Sequence, residues 1–261
     1  NGYKQLKPLL NRIKPAYCFS FLTRSNFLNV SLAKPLGYRA IISERVNTTS
    51  HLSGGLKDAI SRFLVKLLYK RANSVVAVSE GVKADLVKNY AVPESKVSLL
   101  YNPYDIAQLH ELASEPVNDI PKAPYIIGVG RLVKNKNFSL LLNAYAKADI
   151  VENLVILGVG EAMLKALAKT LGIADRVHFL GFKPNPYPYV AKAEYFVSTS
   201  NAEGFPNAIV EAMCLDKPVI ATNCESGPAE IISEQYPYHV SGASNEKNGI
   251  LCELNNAEGV A

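Results

Sequence analysis

The chain has 261 residues, of which 48% are hydrophobic and 20% charged, so it is neither a disordered nor a fibrous sequence and can bury one or two ordinary cores. No apolar run approaches the roughly 18 residues that a membrane-spanning helix needs, and we expect a water-soluble protein. Its four cysteines show neither a C-x-x-C pair nor metal-ligand spacing, which predicts reduced thiols and a cytoplasmic location.

The charge is distributed unequally along the chain. Residues 1–105 carry 16 Lys and Arg against 6 Asp and Glu, whereas the remainder carries 12 against 17. The first part is therefore the basic one. We expect no nucleic-acid partner, because the sequence has neither a basic motif with interleaved aromatic residues nor zinc-ligand spacing.

Strand and helix patterns alternate along the chain, which is typical of parallel sheets flanked by helices. A first domain over residues 1–105 has predicted strands at 16–22, 39–43, 74–79 and 96–101. The polar stretch 106–124, which contains three prolines, is predicted to be an interdomain linker. A second domain over residues 125–261 has predicted strands at 125–129, 154–157, 177–180, 195–198 and 218–222. The cleft between two such domains is the expected ligand site.

Residues 57–73 combine an apolar helical pattern with basic residues. The apolar positions are Ile60, Phe63, Leu64, Leu67 and Leu68, and the basic ones are Lys57, Arg62, Lys66, Lys70 and Arg71. Such a helix can rest on anionic lipid headgroups. It can equally pack its apolar stripe on its own sheet and leave the basic face in water. The sequence leaves both interpretations open.

The stretch from Glu203 to Glu211, EGFPNAIVE, has a carboxylate at each end of a turn and an apolar helix. Pro206 suits the first helical position, so we predict a helix that begins at Pro206 or Asn207. The amides and positive dipole end of that helix favour a phosphate or diphosphate. Glu211 lies five residues after Pro206, which is about 7–8 Å along the helix axis. The two carboxylates can therefore accept bonds from sugar and ribose hydroxyls on opposite sides of a diphosphate.

A second segment also predicts a phosphate site. Residues 125–130 read as a buried strand that ends in glycine, and a basic loop then leads into a helix over 138–148. Arg131 can direct two N–H donors at a phosphate, and Lys136 adds a compact charge; the alternative is an exposed basic loop. Gly158 and Gly160 follow a second apolar strand, and they either line the ligand cleft or form a structural turn.

These residues resemble a known family. The string from Glu203 to Glu211, followed by Lys217 and Pro218, looks like the donor-site signature of family 4 retaining glycosyltransferases. The resemblance implies the GT-B fold, with two Rossmann-like α/β domains of parallel strands facing a cleft. It also implies that Arg131 and Lys136 contact the distal phosphate of the donor, and that residues 179–182 border its base. Phe182 can equally be a core residue. The donor-binding residues expected on this basis are Gly130, Arg131, Lys136, Gly160, Gly181, Phe182, Gly204, Phe205, Pro206, Asn207, Ala208 and Glu211.

Residues 20–26 and 43–45 resemble the branch of the family that elongates polyprenyl-diphosphate-linked glycans. Glu44 stands where many relatives have a histidine that lines the acceptor side, and with Glu203 it is a candidate catalytic residue. It either orients an acceptor hydroxyl or pairs with Arg45 or another basic group. Compared with the family, the chain opens in what resembles the middle of the first domain, and the last helices are missing. We therefore expect an internal portion of a longer protein.

The reaction implied by the resemblance moves a hexose from a UDP- or GDP-linked sugar to a lipid-linked glycan, with retention at the anomeric carbon. We expect no metal or other cofactor, because the sequence lacks a D-x-D motif and the basic groups can neutralise the leaving diphosphate. The basic first domain adds an anionic membrane surface as an expected partner. Two alternatives share the same fold: a non-catalytic sugar-nucleotide or glycan-binding module, and a sugar-nucleotide epimerase.

Overall fold

The computed structural model describes residues 2–52 and 54–261, and the chain forms two compact units. The first unit contains residues 1–102 with the short segments 203–205 and 225–227, and the second contains 103–202, 206–224 and 228–261. The domain predicted over residues 1–105 includes Asn1 and Ser53, which lie outside the described residues. Each unit is an α/β structure.

Among the described residues, the first unit has one sheet of four parallel strands in the order β1-β2-β3-β4. The strands are β1 (Tyr17–Phe21), β2 (Arg39–Glu44), β3 (Ser74–Ala77) and β4 (Val97–Leu99). The helices are α1 (Gly2–Ile13), α2 (Thr23–Leu36), α3 (Thr48–His51), α4 (Gly55–Leu68) and α5 (Glu80–Tyr90). Polar side chains cap two of these helices: Asn47 accepts a hydrogen bond at the start of α3, and Ser79 does so at the start of α5.

Helix α4 presents apolar side chains on two opposite faces. Val65 and Leu68 are buried against the core of the first unit. Leu56, Ile60 and Phe63 share another face, since they are four and three residues apart, and they are 77%, 52% and 66% exposed. The apolar stripe predicted from the sequence is therefore only partly used in packing, and part of it faces solvent beside the basic residues.

In the second unit, the described residues form a sheet of seven strands in the order β10-β11-β9-β8-β5-β6-β7. Only the β10–β11 pair is antiparallel. The strands are β5 (Tyr125–Val129), β6 (Asn153–Leu157), β7 (Val177–Gly181), β8 (Phe196–Ser198), β9 (Val219–Thr222), β10 (Ala243–Glu246) and β11 (Gly249–Cys252). The helices are α6 (Ile106–Ala113), α7 (Phe138–Lys147), α8 (Ala162–Thr170), α9 (Tyr187–Ala191), α10 (Asn207–Cys214), α11 (Pro228–Ile232) and α12 (Ala257–Val260).

All nine predicted strands are present, with ends that differ by at most two residues. The β10–β11 hairpin was not predicted. The stretch 106–124, predicted to be a linker, begins with helix α6 and belongs to the second unit. Asp105 caps that helix by accepting a hydrogen bond from the Gln108 amide at 3.0 Å, and Leu109 is buried in the core of the second unit. Within the described residues, no helix is both long and apolar enough to cross a membrane.

Candidate functional site

The strand order of the second sheet reverses between β5 and β8. The chain runs from β5 to β6 and β7 on one side, and then from β8 to β9 and β11 on the other. In open α/β sheets, ligands bind beyond the carboxyl ends of the strands at such a reversal. The loops that follow β5 and β8, residues 130–137 and 199–202, therefore flank the place where a ligand is expected.

Hydrogen bonds hold these two loops together. The Thr199 hydroxyl donates to the Asn137 carbonyl at 3.0 Å, and the Asn201 amide donates to the Asn135 carbonyl at 2.8 Å. The side chains of Asn137 and Asn201 are also bonded at 3.0 Å. Asn137 adopts a left-handed conformation with φ 46° and caps α7 with its side chain. The sequence analysis did not single out these contact residues. Only Asn137 could have been found from local sequence, because asparagine directly before an apolar helix is a typical helix cap.

Glycines allow the ends of β5, β6 and β7 to approach closely. The Gly158 amide donates to the Gly181 carbonyl at 2.8 Å. A β-carbon at Gly158 would lie 2.0 Å from the Gly130 carbonyl oxygen, so no other residue fits there. Gly160 has φ 105°, a backbone conformation that glycine adopts readily and other residues rarely adopt. Gly158 thus has a structural role, whereas a role of Gly160 in ligand binding stays a prediction.

The two predicted phosphate-binding cations lie on the loop after β5. The Lys136 stem crosses Gly130, with Cδ 3.7 Å from the position that a glycine β-carbon would take. Lys136 is partly buried, and Arg131 is exposed to solvent. The structure therefore brings Gly130, Arg131 and Lys136 to one edge of the sheet.

Helix α10 begins at Asn207, as one of the two predicted starts. Pro206 is the residue before the helix, and its carbonyl accepts the first intrahelical bond, from Ile209 at 3.0 Å. The amides of Asn207 and Ala208 precede that bond. The Asn207 side chain accepts a hydrogen bond from the Tyr104 hydroxyl at 2.7 Å. No local sequence signal could have predicted this contact with Tyr104.

Glu211 is partly buried on α10. Among the described residues, the structure gives its carboxylate no hydrogen-bond or ion-pair partner. Burial raises the pKa of Glu211 above its ordinary value, and the charge of Glu211 in turn contributes, after burial, to a raised pKa of Tyr187. A half-buried acid with a raised pKa and no protein partner is a candidate ligand-binding group.

Residues 203–205 belong to the first unit, and their backbone lies against the turn after β2. The Asn47 amide donates to the Glu203 carbonyl at 3.3 Å. A β-carbon at Gly204 would lie 2.1 Å from the Arg45 carbonyl oxygen, so glycine is required. Phe205 packs against the core of this unit, and its ring centroid is 5.6 Å from that of Tyr101.

Glu44 lies at the carboxyl end of β2 and is 0% exposed. Tyr69 donates its hydroxyl to the carboxylate, and the Arg45 amide donates to Oε1 at 3.1 Å. The Arg45 guanidinium instead lies over the ring of Phe21, 5.9 Å from its centroid. The expected alternative of a pair between Glu44 and a basic side chain is therefore wrong, because the partners are a tyrosine and backbone amides. A role toward an acceptor hydroxyl stays a prediction.

Gly181 and Phe182, predicted near the nucleotide base, follow β7. Phe182 is 70% exposed, so it is not a core residue, which was the alternative interpretation. The described residues contain no group of three or more His, Cys, Asp or Glu arranged to hold a metal ion. The expectation that the reaction needs no metal stays a prediction.

Comparison with known proteins assigns the chain to a family. The model described as "Glycosyl transferases group 1" matches residues 111–261, and that described as "Glycosyltransferase Family 4" matches residues 30–108. Two α/β units with predominantly parallel sheets define a Rossmann-like architecture. The chain belongs to the group 1 glycosyl transferases and has the GT-B fold.

Two curated relatives and one solved structure illustrate this similarity. The N-acetylgalactosamine-N,N'-diacetylbacillosaminyl-diphospho-undecaprenol 4-alpha-N-acetylgalactosaminyltransferase of Campylobacter jejuni is 33% identical over 91% of this chain and 63% of its own length. The lipopolysaccharide 1,6-galactosyltransferase of Escherichia coli is 30% identical over 63% of this chain and 47% of its own. The Anabaena protein HepE, solved with UDP and glucose, superimposes with a TM-score of 0.73 and 19% identity, over 100% of this chain and 72% of its own. The chain thus spans about half to two thirds of these curated relatives.

Proposed function

We propose that the chain acts as a retaining glycosyltransferase of the family 4 type, which moves a hexose from a nucleotide-diphosphate sugar to a hydroxyl of a lipid-linked glycan. The observation that carries this proposal is the grouping of Gly130, Arg131 and Lys136 beyond the carboxyl ends of the second sheet, where its strand order reverses. Cationic side chains at a glycine-rich strand end suit a diphosphate. The UDP named in the neighbouring Anabaena structure belongs to the same ligand class.

The donor is bound mainly by the second unit. Arg131 and Lys136 neutralise the distal phosphate, and the first amides of α10 add hydrogen-bond donors at the positive end of its dipole. Glu211 accepts hydrogen bonds from the two ribose hydroxyls, which supply the partners that its carboxylate lacks within the described protein. The exposed ring of Phe182 stacks on the base.

The transferred sugar is contacted by Glu203. Its carboxylate accepts hydrogen bonds from sugar hydroxyls near the carbon where positive charge develops, and the leaving diphosphate is stabilised by the basic loop without a metal ion. The close packing of Gly204 on the Arg45 carbonyl supports this role, because it holds the preceding residue in a defined place. Transfer proceeds with retention of the anomeric configuration, as in the family that the motif resembles.

The acceptor is a glycan on a polyprenyl diphosphate. Support comes from the Campylobacter jejuni relative, a transferase for a diphospho-undecaprenol-linked saccharide, and from the Escherichia coli relative, a lipopolysaccharide galactosyltransferase. UDP-linked hexoses are the first donors to test, with GDP-linked hexoses as the second set. The four cysteines are free thiols, which supports work on the cytoplasmic side of the membrane.

Helix α4 brings the first unit to that membrane. Leu56, Ile60 and Phe63 form an exposed apolar stripe opposite the buried face of the helix. Lys57 and Lys66 flank that stripe and are exposed. An apolar stripe between lysines matches the boundary between acyl chains and anionic headgroups. The helix thus lies in the interface near its lipid-linked acceptor.

Vesicle sedimentation tests the membrane contact. We expect binding to rise with the fraction of anionic lipid and to fall with salt, since surface charges are screened over about 10 Å at 0.1 M. Exchanging both Ile60 and Phe63 for serine removes the apolar stripe, and Val151→Ser, at an exposed apolar position of the second unit, is the matched control. Equal binding by both proteins would contradict the role of α4.

A transfer assay tests the activity. The protein is incubated with labelled UDP- and GDP-sugars, with and without a polyprenyl-diphosphate glycan, and the products are separated. We expect a labelled glycolipid that forms only when the acceptor is present. An epimerised donor formed without acceptor would instead identify an epimerase, and donor binding without any product would identify a binding module.

A further inference from the structure

Within residues 2–52 and 54–261, Glu44 is a buried carboxylate without a cationic partner. A buried charge destabilises the fold unless hydrogen bonds compensate it. Tyr69 supplies one bond through its hydroxyl, and the amides of Arg45 and Val46 supply two more. The Tyr69 hydroxyl accepts in turn from the Asn26 side chain at 3.1 Å. The network thus connects Glu44 to the start of the turn that follows β2.

The same turn contacts residues 203–205 within the first unit. Its Arg45 carbonyl meets the backbone of Gly204, its Val46 Cα would lie 2.7 Å from a β-carbon at Gly204, and its Asn47 amide donates to the Glu203 carbonyl. Three successive residues of the turn therefore hold Glu203 and Gly204, the first two residues of the donor motif 203–211. A shift of the turn must move the backbone that carries the Glu203 side chain.

The far side of the turn is also fixed. The Asn47 side chain donates to the Ser226 hydroxyl at 2.9 Å and accepts from the Ser50 amide at 3.0 Å. A β-carbon at Gly81 would lie 2.7 Å from the Glu225 carbonyl oxygen, so segment 225–227 is packed as closely as segment 203–205. The turn is thus fixed at its far end by Ser226 and Ser50 and at its start by the bonds from the Arg45 and Val46 amides to Glu44.

We infer that Glu44 is a positioning residue, which holds the turn 45–47 through its backbone amides and thereby places Glu203 for catalysis. The inference rests on the proposed role of Glu203 in sugar transfer. It differs from a role of Glu44 toward the acceptor, because a fully buried side chain acts here through its neighbours and touches no substrate.

The protonation state of Glu44 changes the strength of this hold. Burial raises the pKa of Glu44 to about 7, and the bonds from Tyr69 and the two amides oppose that rise. The other titratable groups around it are Asp85 and Tyr90 of α5, of which Asp85 raises the pKa of Glu44 further. Bonds from amides to a carboxylate are stronger than those to a neutral acid. While the carboxylate stays buried, the turn is therefore held best above neutral pH and less firmly as pH falls through about 7. Global unfolding has the opposite trend, because it hydrates the ionised carboxylate and becomes easier as pH rises.

Hydrogen exchange tests the positioning without reference to activity. Glu44→Gln has the shape of the protonated acid, and at pH 7.5 or above we expect it to raise exchange by roughly threefold or more in peptides covering 45–50 and 203–206. Peptides from β5 to β7 should be unchanged. Glu94→Gln, an exposed carboxylate of the same unit paired with Lys83, is the control and should match the wild type. Unchanged exchange in both peptides of Glu44→Gln would overturn the inference.

The pH dependence of turnover supplies the second test. The wild type should lose kcat as pH falls through about 7, whereas Glu44→Gln should be slower by roughly 10- to 100-fold and flat with pH. Affinity for free nucleoside diphosphate should not change. Tyr69→Phe removes a donor to the carboxylate, so the loss of kcat at low pH should begin at a higher pH than in the wild type. This variant replaces Glu44→Gln as the test if Glu44→Gln fails to fold. If kcat of Glu44→Gln still falls with pH near 7, the inference is refuted. A wild type that transfers no sugar would instead refute the proposed function, and the hydrogen-exchange result would then decide the inference.

Discussion

Gly204→Ala tests how closely the donor motif is packed on the turn after β2. The added methyl carbon would lie 2.1 Å from the Arg45 carbonyl oxygen and 2.6 Å from its carbonyl carbon. Since non-bonded atoms do not approach much below about 3 Å, the motif must retreat by about 1 Å. Overpacking of this kind costs about 1–3 kcal/mol, and loss of the bond between Asn47 and Glu203 adds about 1 kcal/mol.

We therefore expect Gly204→Ala to lower the free energy of unfolding of the first unit by roughly 2–4 kcal/mol. Turnover should fall by about 10², because a misplacement of 1 Å has that effect on a positioned group. Urea unfolding followed by circular dichroism measures the first quantity, and glycolipid formation measures the second.

Gly54→Ala is the matched control for this substitution. Gly54 lies in the same unit in an extended conformation with φ −138°, and a β-carbon there would meet only Asp58 Oδ2, at 3.9 Å. We expect this variant to keep both stability and turnover. A Gly204→Ala protein as stable and active as Gly54→Ala would refute the packing argument.

Three further predictions concern single charged groups. Glu211→Ala should weaken binding of the sugar nucleotide and the free diphosphate alike, by about ten- to a hundredfold, because a hydrogen bond to a buried charge is worth about 1.5–3 kcal/mol; calorimetry in which diphosphate affinity is unchanged would rule out the ribose contact. Arg131→Ala should reduce affinity more for diphosphate than for monophosphate and leave nucleosides unaffected, and an equal loss for nucleosides would contradict a phosphate contact. Glu44 has a folded pKa of about 7, above its unfolded value, so the stability contributed by the protonated acid is present at low pH and is lost as pH rises through about 7. Between pH 5 and 8 the free energy of unfolding of Glu44→Gln should therefore rise relative to that of the wild type by roughly 2–3 kcal/mol. Urea unfolding that shows no such trend would refute the buried-acid assignment.

Hydrophobic periodicity predicted nine of the eleven strands in the described residues, because each of these nine is a short and mostly apolar run. It missed the β10–β11 hairpin, in which β10 is polar. It could not decide which face of α4 is buried. The helix carries Val65 and Leu68 on one side and Leu56, Ile60 and Phe63 on the other, and a pattern with two apolar faces does not reveal which one meets the sheet. Helix α6 was missed for a different reason: the prolines and polar residues that follow it obscured its apolar positions Ile106, Leu109 and Leu112.

Local motifs indicated the candidate donor-site residues, whose roles stay predictions, but not the contacts that hold them in place. The start of α10 was predicted to within one residue from Pro206, although this proline precedes the helix and does not take its first position. The partners of Gly204 and Glu44, by contrast, are distant in sequence: Gly204 lies on Arg45, and Glu44 bonds Tyr69. Such contacts are set by tertiary packing and leave no mark on the spacing of the motif itself.

The separate roles of Glu203 and Glu211 are the central claim, and Glu203→Gln tests it most directly. Binding of the nucleoside diphosphate is measured by calorimetry, and turnover is measured by glycolipid formation, with Glu211→Gln in parallel. We expect Glu203→Gln to bind the diphosphate like the wild type and to lose about 10²–10³ in kcat, as is typical when one preorganised electrostatic contact is removed. Normal turnover, or a defect confined to diphosphate binding, would contradict the assignment of Glu203 to the transferred sugar.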